Sequence, residues 1–328
     1  MMITTRTFLL IALGILAILT LLFSLLHGTV WIRFDQFLSI LLLHPDDPFL
    51  HQVIFELRLP RTLSAFMTGG LLALAGALMQ VLLRNPLADP YILGISSGAA
   101  TGALFCMVVG LGGVWITGGA WLGSLTAILL VLFLSRHKSS RSAARLLLTG
   151  IALASGLSAL ISFILVISPD PLLRGMVFWL LGDLDGARMP LVEACVLGGG
   201  LLISLCFANA LNIFTHGEKQ AQTLGMNVPR FQVSIYLLSS LFTATAVSLA
   251  GCIGFVGFIV PHLVRLMAGY DHRYLLPGSV LLGGSLLTLA DTIARTLMAP
   301  QQLPIGMIMS LLGVPIFLVL LRYTHDSY

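Results

Sequence analysis

Apolar runs of about 20 residues recur along the whole chain, and each is cut by a short polar break rich in Pro, Gly, Asn or Asp. A run of that length is what a helix needs to cross ~30 Å of hydrocarbon. Read against the breaks, the pattern predicts ten spans: 7–27, 62–83, 91–110, 114–135, 145–168, 190–210, 231–249, 252–269, 275–297 and 305–322. The expectation is an all-α polytopic membrane protein, one transmembrane domain over residues 1–328, with both termini on the same side. The first run, FLLIALGILAILTLLFSLL (8–26), follows Arg6 as a signal peptide would. Its apolar core exceeds the ~7–15 residues of a signal h-region and no A-x-A site follows, so it is expected to stay as a helix.

Composition narrows the class. Hydrophobic residues make up 58% of the chain and charged residues 9%, whereas a soluble domain carries about 25% charged residues. The formal net charge of +4 would suggest nucleic acid in a soluble chain; here topology accounts for it. Of the 17 Lys and Arg, eleven fall on the side of the termini, six of these being Arg6, Arg84, Arg136, Lys138, Arg141 and Arg145. That excess, strongest in RHKSSRSAAR (136–145), predicts cytoplasmic termini. Trp31, Trp115, Trp121 and Trp179 then all fall at the outer interface, where amphipathic rings collect. Three segments between spans are long: two outer, 27–61 and 169–190, and one cytoplasmic, 212–230.

Catalytic signatures fit poorly. GISSG (94–98) matches G-x-S-x-G, but a nucleophile elbow follows a strand, and here a proline turn precedes it. The eight histidines form no H-E-x-x-H, and neither of the two lysines completes a phosphate-binding loop, so any ATP would be bound by another polypeptide. The four cysteines sit in apolar runs without C-x-x-C spacing and read as small buried hydrophobes. What remains is a set of small and polar stretches inside spans, including GISSGAATGA (94–103) and TGIALASGLSA (149–159), which let helix backbones approach closely. With few intramembrane charges, they favour a path for a large solute over a proton relay. Ser96, Ser97, Thr149 and Ser155 are the candidate path residues. Asp291 and Arg295 stand four apart with the acid first, the favourable order for an ion pair on one helix.

Three stretches together carry a resemblance: RLPRTLSAFMTGGLLALAGALMQVLLRNPLADPYILGISSGA (58–99), GFVGFIVPHLVRLMAGYDHRYLLPGSVLLGG (254–284) with LADTIAR (289–295), and LPIGMIMSLLGVPIFLVLL (303–321). They resemble the FecCD family, the permeases of ABC importers for ferric siderophores, haem and cobalamin. The resemblance runs through nearly the whole chain.

It implies a transporter that is not itself an enzyme and binds no cofactor or metal of its own. It would be a multi-pass protein of the inner membrane, with lipid around it and no nucleic-acid partner. Its partners would be a second permease subunit, two cytoplasmic ATPase subunits holding ATP and Mg, and a periplasmic binding protein. Arg58, Arg61 and Arg295 match the family's rim arginines that pair with the binding protein, and are expected to be exposed. GEKQAQTLGMNVPR (217–230) looks like the family's coupling helix, expected over about 217–226, with Glu218, Ala221 and Gly225 echoing its motif and Leu224 and Met226 supplying apolar contact. The substrate among these chelates stays open, and an ion-coupled secondary carrier of a large solute is the alternative.

Overall fold

The computed structural model describes residues 2–28, 30–41, 48–135 and 143–325; residues 136–142 of the basic cluster lie outside them. Among the described residues the chain is helical throughout: α1 (Met2–Leu26), α2 (Phe34–Leu41), α3 (Pro48–Gln52), α4 (Leu59–Leu83), α5 (Ile95–Val108), α6 (Val114–Leu134), α7 (Ala143–Ile167), α8 (Asp170–Leu180), α9 (Leu191–Cys206), α10 (Ala208–Thr215), α11 (Glu218–Thr223), α12 (Val228–Ala250), α13 (Val256–Ala268), α14 (His272–Thr296) and α15 (Ile305–His325). A π-helical turn, Val53–Arg58, joins α3 to α4, and a 3₁₀ turn, Pro90–Leu93, precedes α5.

Among the described residues six helical stretches are long and apolar enough to cross a membrane, or seven if α9 and α10, bent by 59°, count as one span. The remaining predicted spans correspond to shorter apolar helices, Ile95–Val108, Val256–Ala268 and Ile305–Val319. Two of them are short for an identifiable reason.

Helix α4 is the axis of the molecule, buried along nearly its whole length. Small residues let its neighbours reach its backbone. A Cβ on Gly69 would lie 2.2 Å from the Gly283 carbonyl oxygen of α14, and one on Gly76 would lie 1.6 Å from that of Gly257 in α13. The second approach has a covalent cause. Pro261 has no N–H to offer the carbonyl four residues earlier, so the Gly257 oxygen is left free by its own helix and lies against Gly76. Helices α5 and α6 repeat the device, with Gly98 against Gly123 and Gly102 against Gly119.

Because Gly257 also touches Pro90 and the Leu72 carbonyl, α13 and the turn before α5 both begin about halfway along α4. The chain leaves α4 at Arg84, whose φ of 49° ends the helix in the left-handed region. It then runs back into the bundle. Asp89 accepts a hydrogen bond from Tyr91 N (2.8 Å) and Pro90 opens the turn. Asp89 therefore starts only a 3₁₀ turn and not the full predicted span 91–110; Gly94, at φ 77°, breaks the turn and α5 begins at Ile95. From the other direction, residues 251–254 descend between α12 and α13. The two loops meet where Ile253 N donates to Tyr91 Oη (2.9 Å) and Ser96 Oγ donates to Cys252 Sγ (3.0 Å). Each predicted span gave up its first turn to this junction.

Candidate functional site

One end of the bundle holds a cluster of arginines. Arg58, at the end of the π-helical turn, donates to the carbonyls of Leu25 (2.8 Å), Leu26 (3.1 Å) and Val30. These are carbonyls at and just beyond the end of α1, which has no further turn to satisfy them, so the guanidinium closes that helix. Arg61, on the first turn of α4, bonds Asp291 through Nε (2.9 Å) and also donates to Gln302. Arg295 reaches the same carboxylate at 3.0 Å and donates to Ser24 Oγ at 2.8 Å. Ser24 in turn pairs with Thr62 (2.9 Å), tying α1 to α4.

Asp291 is wholly buried, and Arg58, Arg61 and Arg295 are only 5%, 8% and 8% exposed. The expectation of three exposed rim arginines is therefore corrected: all three guanidinium groups turn inward, to the carbonyls at the end of α1 and to a buried carboxylate. They still border a cavity of about 880 Å³, whose wall also includes exposed Glu56, Asp185 and Arg188. Asp185 stands 3.9 Å from Arg61. Its neighbour Asp183 has a carboxyl raised above the usual range by burial, although the Asp185 N–H bonds it. The i,i+4 spacing made the Asp291–Arg295 pair legible. That Arg61, 230 positions away in sequence, completes a triad was not.

At the opposite end, the predicted coupling segment is a helix of six residues, α11, entered through Gly217 (φ 121°) and left through Gly225 (φ 82°), conformations that favour glycine. Leu224 is 70% exposed. Ala221 is fully buried and Met226 packs partly against the core, so of the two apolar contacts expected of this segment only Leu224 points outward; Met226 anchors it from within. Glu218 accepts from Gln232 Nε2 (3.1 Å) and stands 3.9 Å from Arg84. Nearby, Gln80 of α4 bridges to α13, donating to Phe258 O (3.0 Å) and accepting from Arg265 (2.8 Å).

The candidate path residues divide. Ser96 sits at the mid-bundle junction on Cys252, and the Ser97 carbonyl accepts from Thr101 within α5 (2.8 Å). Thr149 and Ser155 lie on α7, half-buried and exposed respectively, with the Ser155 hydroxyl turned back to Ile151 O (3.0 Å). The structure thus brings Ser96 to a junction between helices and leaves Ser155 on an open face. The partner of the Ser96 hydroxyl is a thiol, not the base that a serine nucleophile requires.

Residues 16–323 match the model of the FecCD transport family. The chain is 40% identical to the hemin transport system permease protein HmuU of Yersinia pestis, over 86% of both chains. It is 42% identical to the cobalamin import system permease protein BtuC of Halobacterium salinarum, over 82% of this chain and 73% of that one. Among solved structures, a metal-chelate type ABC transporter in an inward-facing conformation superposes with a TM-score of 0.84 at 31% identity, covering 97% of this chain and 99% of that one. These relatives are transport permeases rather than enzymes, and the match spans α1 to α15: the chain belongs to the FecCD transport family of ABC importer permeases.

Proposed function

We propose that this protein is the membrane-spanning permease of an importer that takes a metal chelate, haem or cobalamin from periplasm to cytoplasm. The observation that carries the reading is the family match over residues 16–323, joined to relatives whose names specify hemin and cobalamin. In this reading the chain crosses the inner membrane ten times with both termini in the cytoplasm, the shorter helices α5 and α13 completing their crossings through the two loops that meet at mid-bundle. Two copies, or this chain and a related one, enclose the path. Two ATPase subunits holding ATP and Mg seat against α11, with Leu224 as the exposed apolar contact and Glu218, Ala221, Gly225 and Met226 fixing its shape. A binding protein docks at the arginine end. There Arg58, Arg61 and Arg295 form part of the cavity wall, while exposed Arg188, Asp185 and Glu56 are the charges a partner meets first; such groups govern orientation and on-rate more than affinity.

Transport follows from differential binding: nucleotide and loaded binding protein each shift the access equilibrium only by their difference in affinity for its two states. The test is reconstitution of the permease with cognate ATPase and binding protein in proteoliposomes, with uptake and ATP hydrolysis measured across a panel of ferric siderophores, haem and corrinoids. ATP-dependent uptake of one member is expected. Uptake that proceeds without the ATPase and is abolished by uncoupler would refute the reading.

A further inference from the structure

We infer that Asn212 is a positioning residue that makes α10 and α14 move as one body, carrying displacement of the coupling segment to the ion triad at the far end. The inference rests on the importer reading and adds a route that reading does not contain. The amide of Asn212 is used in both polarities. Its Nδ2 donates to Asp271 Oδ1 (3.0 Å), and its Oδ1 accepts from the backbone N of His272 (3.0 Å) and from the His272 ring Nδ1 (2.6 Å). Because the amide oxygen can only accept, that ring nitrogen carries the proton. Asp271 is also the N-cap of α14, accepting from Arg273 N (3.1 Å), so Asn212 grips the capping residue and the first residue of one helix at once. One turn earlier on α10, Asn209 accepts from the Arg273 guanidinium.

The mechanical setting gives these bonds a direction. Helix α10 is bent 59° from α9, so the backbone does not hold the two in line, and its polar ties run to α14 instead. Only His216 and Gly217 separate α10 from α11. Helix α14 then runs from His272 to Thr296, with Pro277 in its second turn, and ends in the Asp291–Arg295 pair on Arg61. A push on α11 thus passes through the two-residue connection to α10 and from there, by hydrogen bond and along a helix, to Asn212, α14 and Asp291. Contiguity alone does not establish coupling, so the test must read coupling and not only fold.

The experiment compares wild type, Asn212→Ala, Asn212→Asp and Asp271→Asn in the assembled complex with its ATPase and binding protein, recording basal ATP hydrolysis, its stimulation by loaded binding protein, and uptake per ATP. Asn212→Asp is nearly isosteric and keeps the acceptor toward His272 but sets a carboxylate against Asp271, so it serves if the alanine variant does not assemble. Both Asn212 variants are expected to keep basal hydrolysis within about twofold and to lose about tenfold in uptake per ATP, in the range of allosteric coupling factors. Asp271→Asn keeps an oxygen for Asn212 and for the α14 cap, and is expected to retain coupling. Equal loss of uptake and hydrolysis, with the ratio unchanged, would make Asn212 merely structural and overturn the inference, as would no change at all. A wild-type complex without ATP-driven uptake would instead overturn the importer reading.

Discussion

Gly76 and Gly257 meet backbone to backbone, close enough that a Cβ on the first would lie 1.6 Å from the carbonyl oxygen of the second. No rotamer relieves a clash with backbone, so Gly76→Ala must push α13 off α4. A cost at or above the ~1–3 kcal/mol of ordinary overpacking is expected. A Cβ on Gly156 of α7 would meet nothing within 4 Å beyond its own helix backbone, and Gly156→Ala should be neutral or slightly stabilising. Thermal unfolding of both variants in detergent checks the contrast, and equal melting temperatures would refute the packing account.

Asp291 carries two guanidiniums in a buried setting. Asp291→Ala leaves both cations without their carboxylate, and removing one partner of a buried pair costs about 3–5 kcal/mol. The same melt measures it; a loss below about 1 kcal/mol would mean that water or another anion takes the carboxylate's place.

Arg58→Lys separates two roles for one residue. Lysine keeps the charge but not the planar fork that reaches three carbonyls at the end of α1. A loss of about 1.5–3 kcal/mol is expected, the worth of a hydrogen bond to a charged group. Were Arg58 only a docking charge, the lysine variant would melt like wild type and bind its partner normally.

Asp89 is tested through the hydrogen bond it accepts at the mid-bundle turn. Asp89→Ala removes the acceptor of the Tyr91 N–H and should cost about 1 kcal/mol, as loss of a cap does. Asp89→Asn keeps an oxygen for that N–H and should melt close to wild type; equal losses in the two variants would refute the assignment.

Leu224→Asp tests the exposed apolar contact of α11. The side chain touches little within this chain, so the melting temperature should hold while co-purification with the ATPase subunit is lost. Retained association would remove Leu224 from the interface.

The apolar periodicity made the helices legible, and the polar breaks rich in Pro, Gly, Asn and Asp marked where one gives way to another. Depth was not legible. Nothing local in GISSGA says that its helix starts halfway down α4, because that follows from Pro90 resting on Gly257, 167 positions later. The arginines were visible as charges near span ends, but their inward orientation depends on carbonyls of α1 and on Asp291, partners that spacing cannot locate. Asn212 passed without notice for the same reason: a lone amide in a polar loop is unremarkable until Asp271 and His272 are placed beside it.

At the arginine end, Arg61 and Arg295 share the buried Asp291 while Arg58 holds the carbonyls at the end of α1. Since these guanidiniums are shielded from water, added salt screens them far less than it would a surface patch. Salt therefore loosens the α11 end, where the Arg84–Glu218 pair is partly exposed, before it reaches the contacts that hold α1, α4 and α14 together at the other.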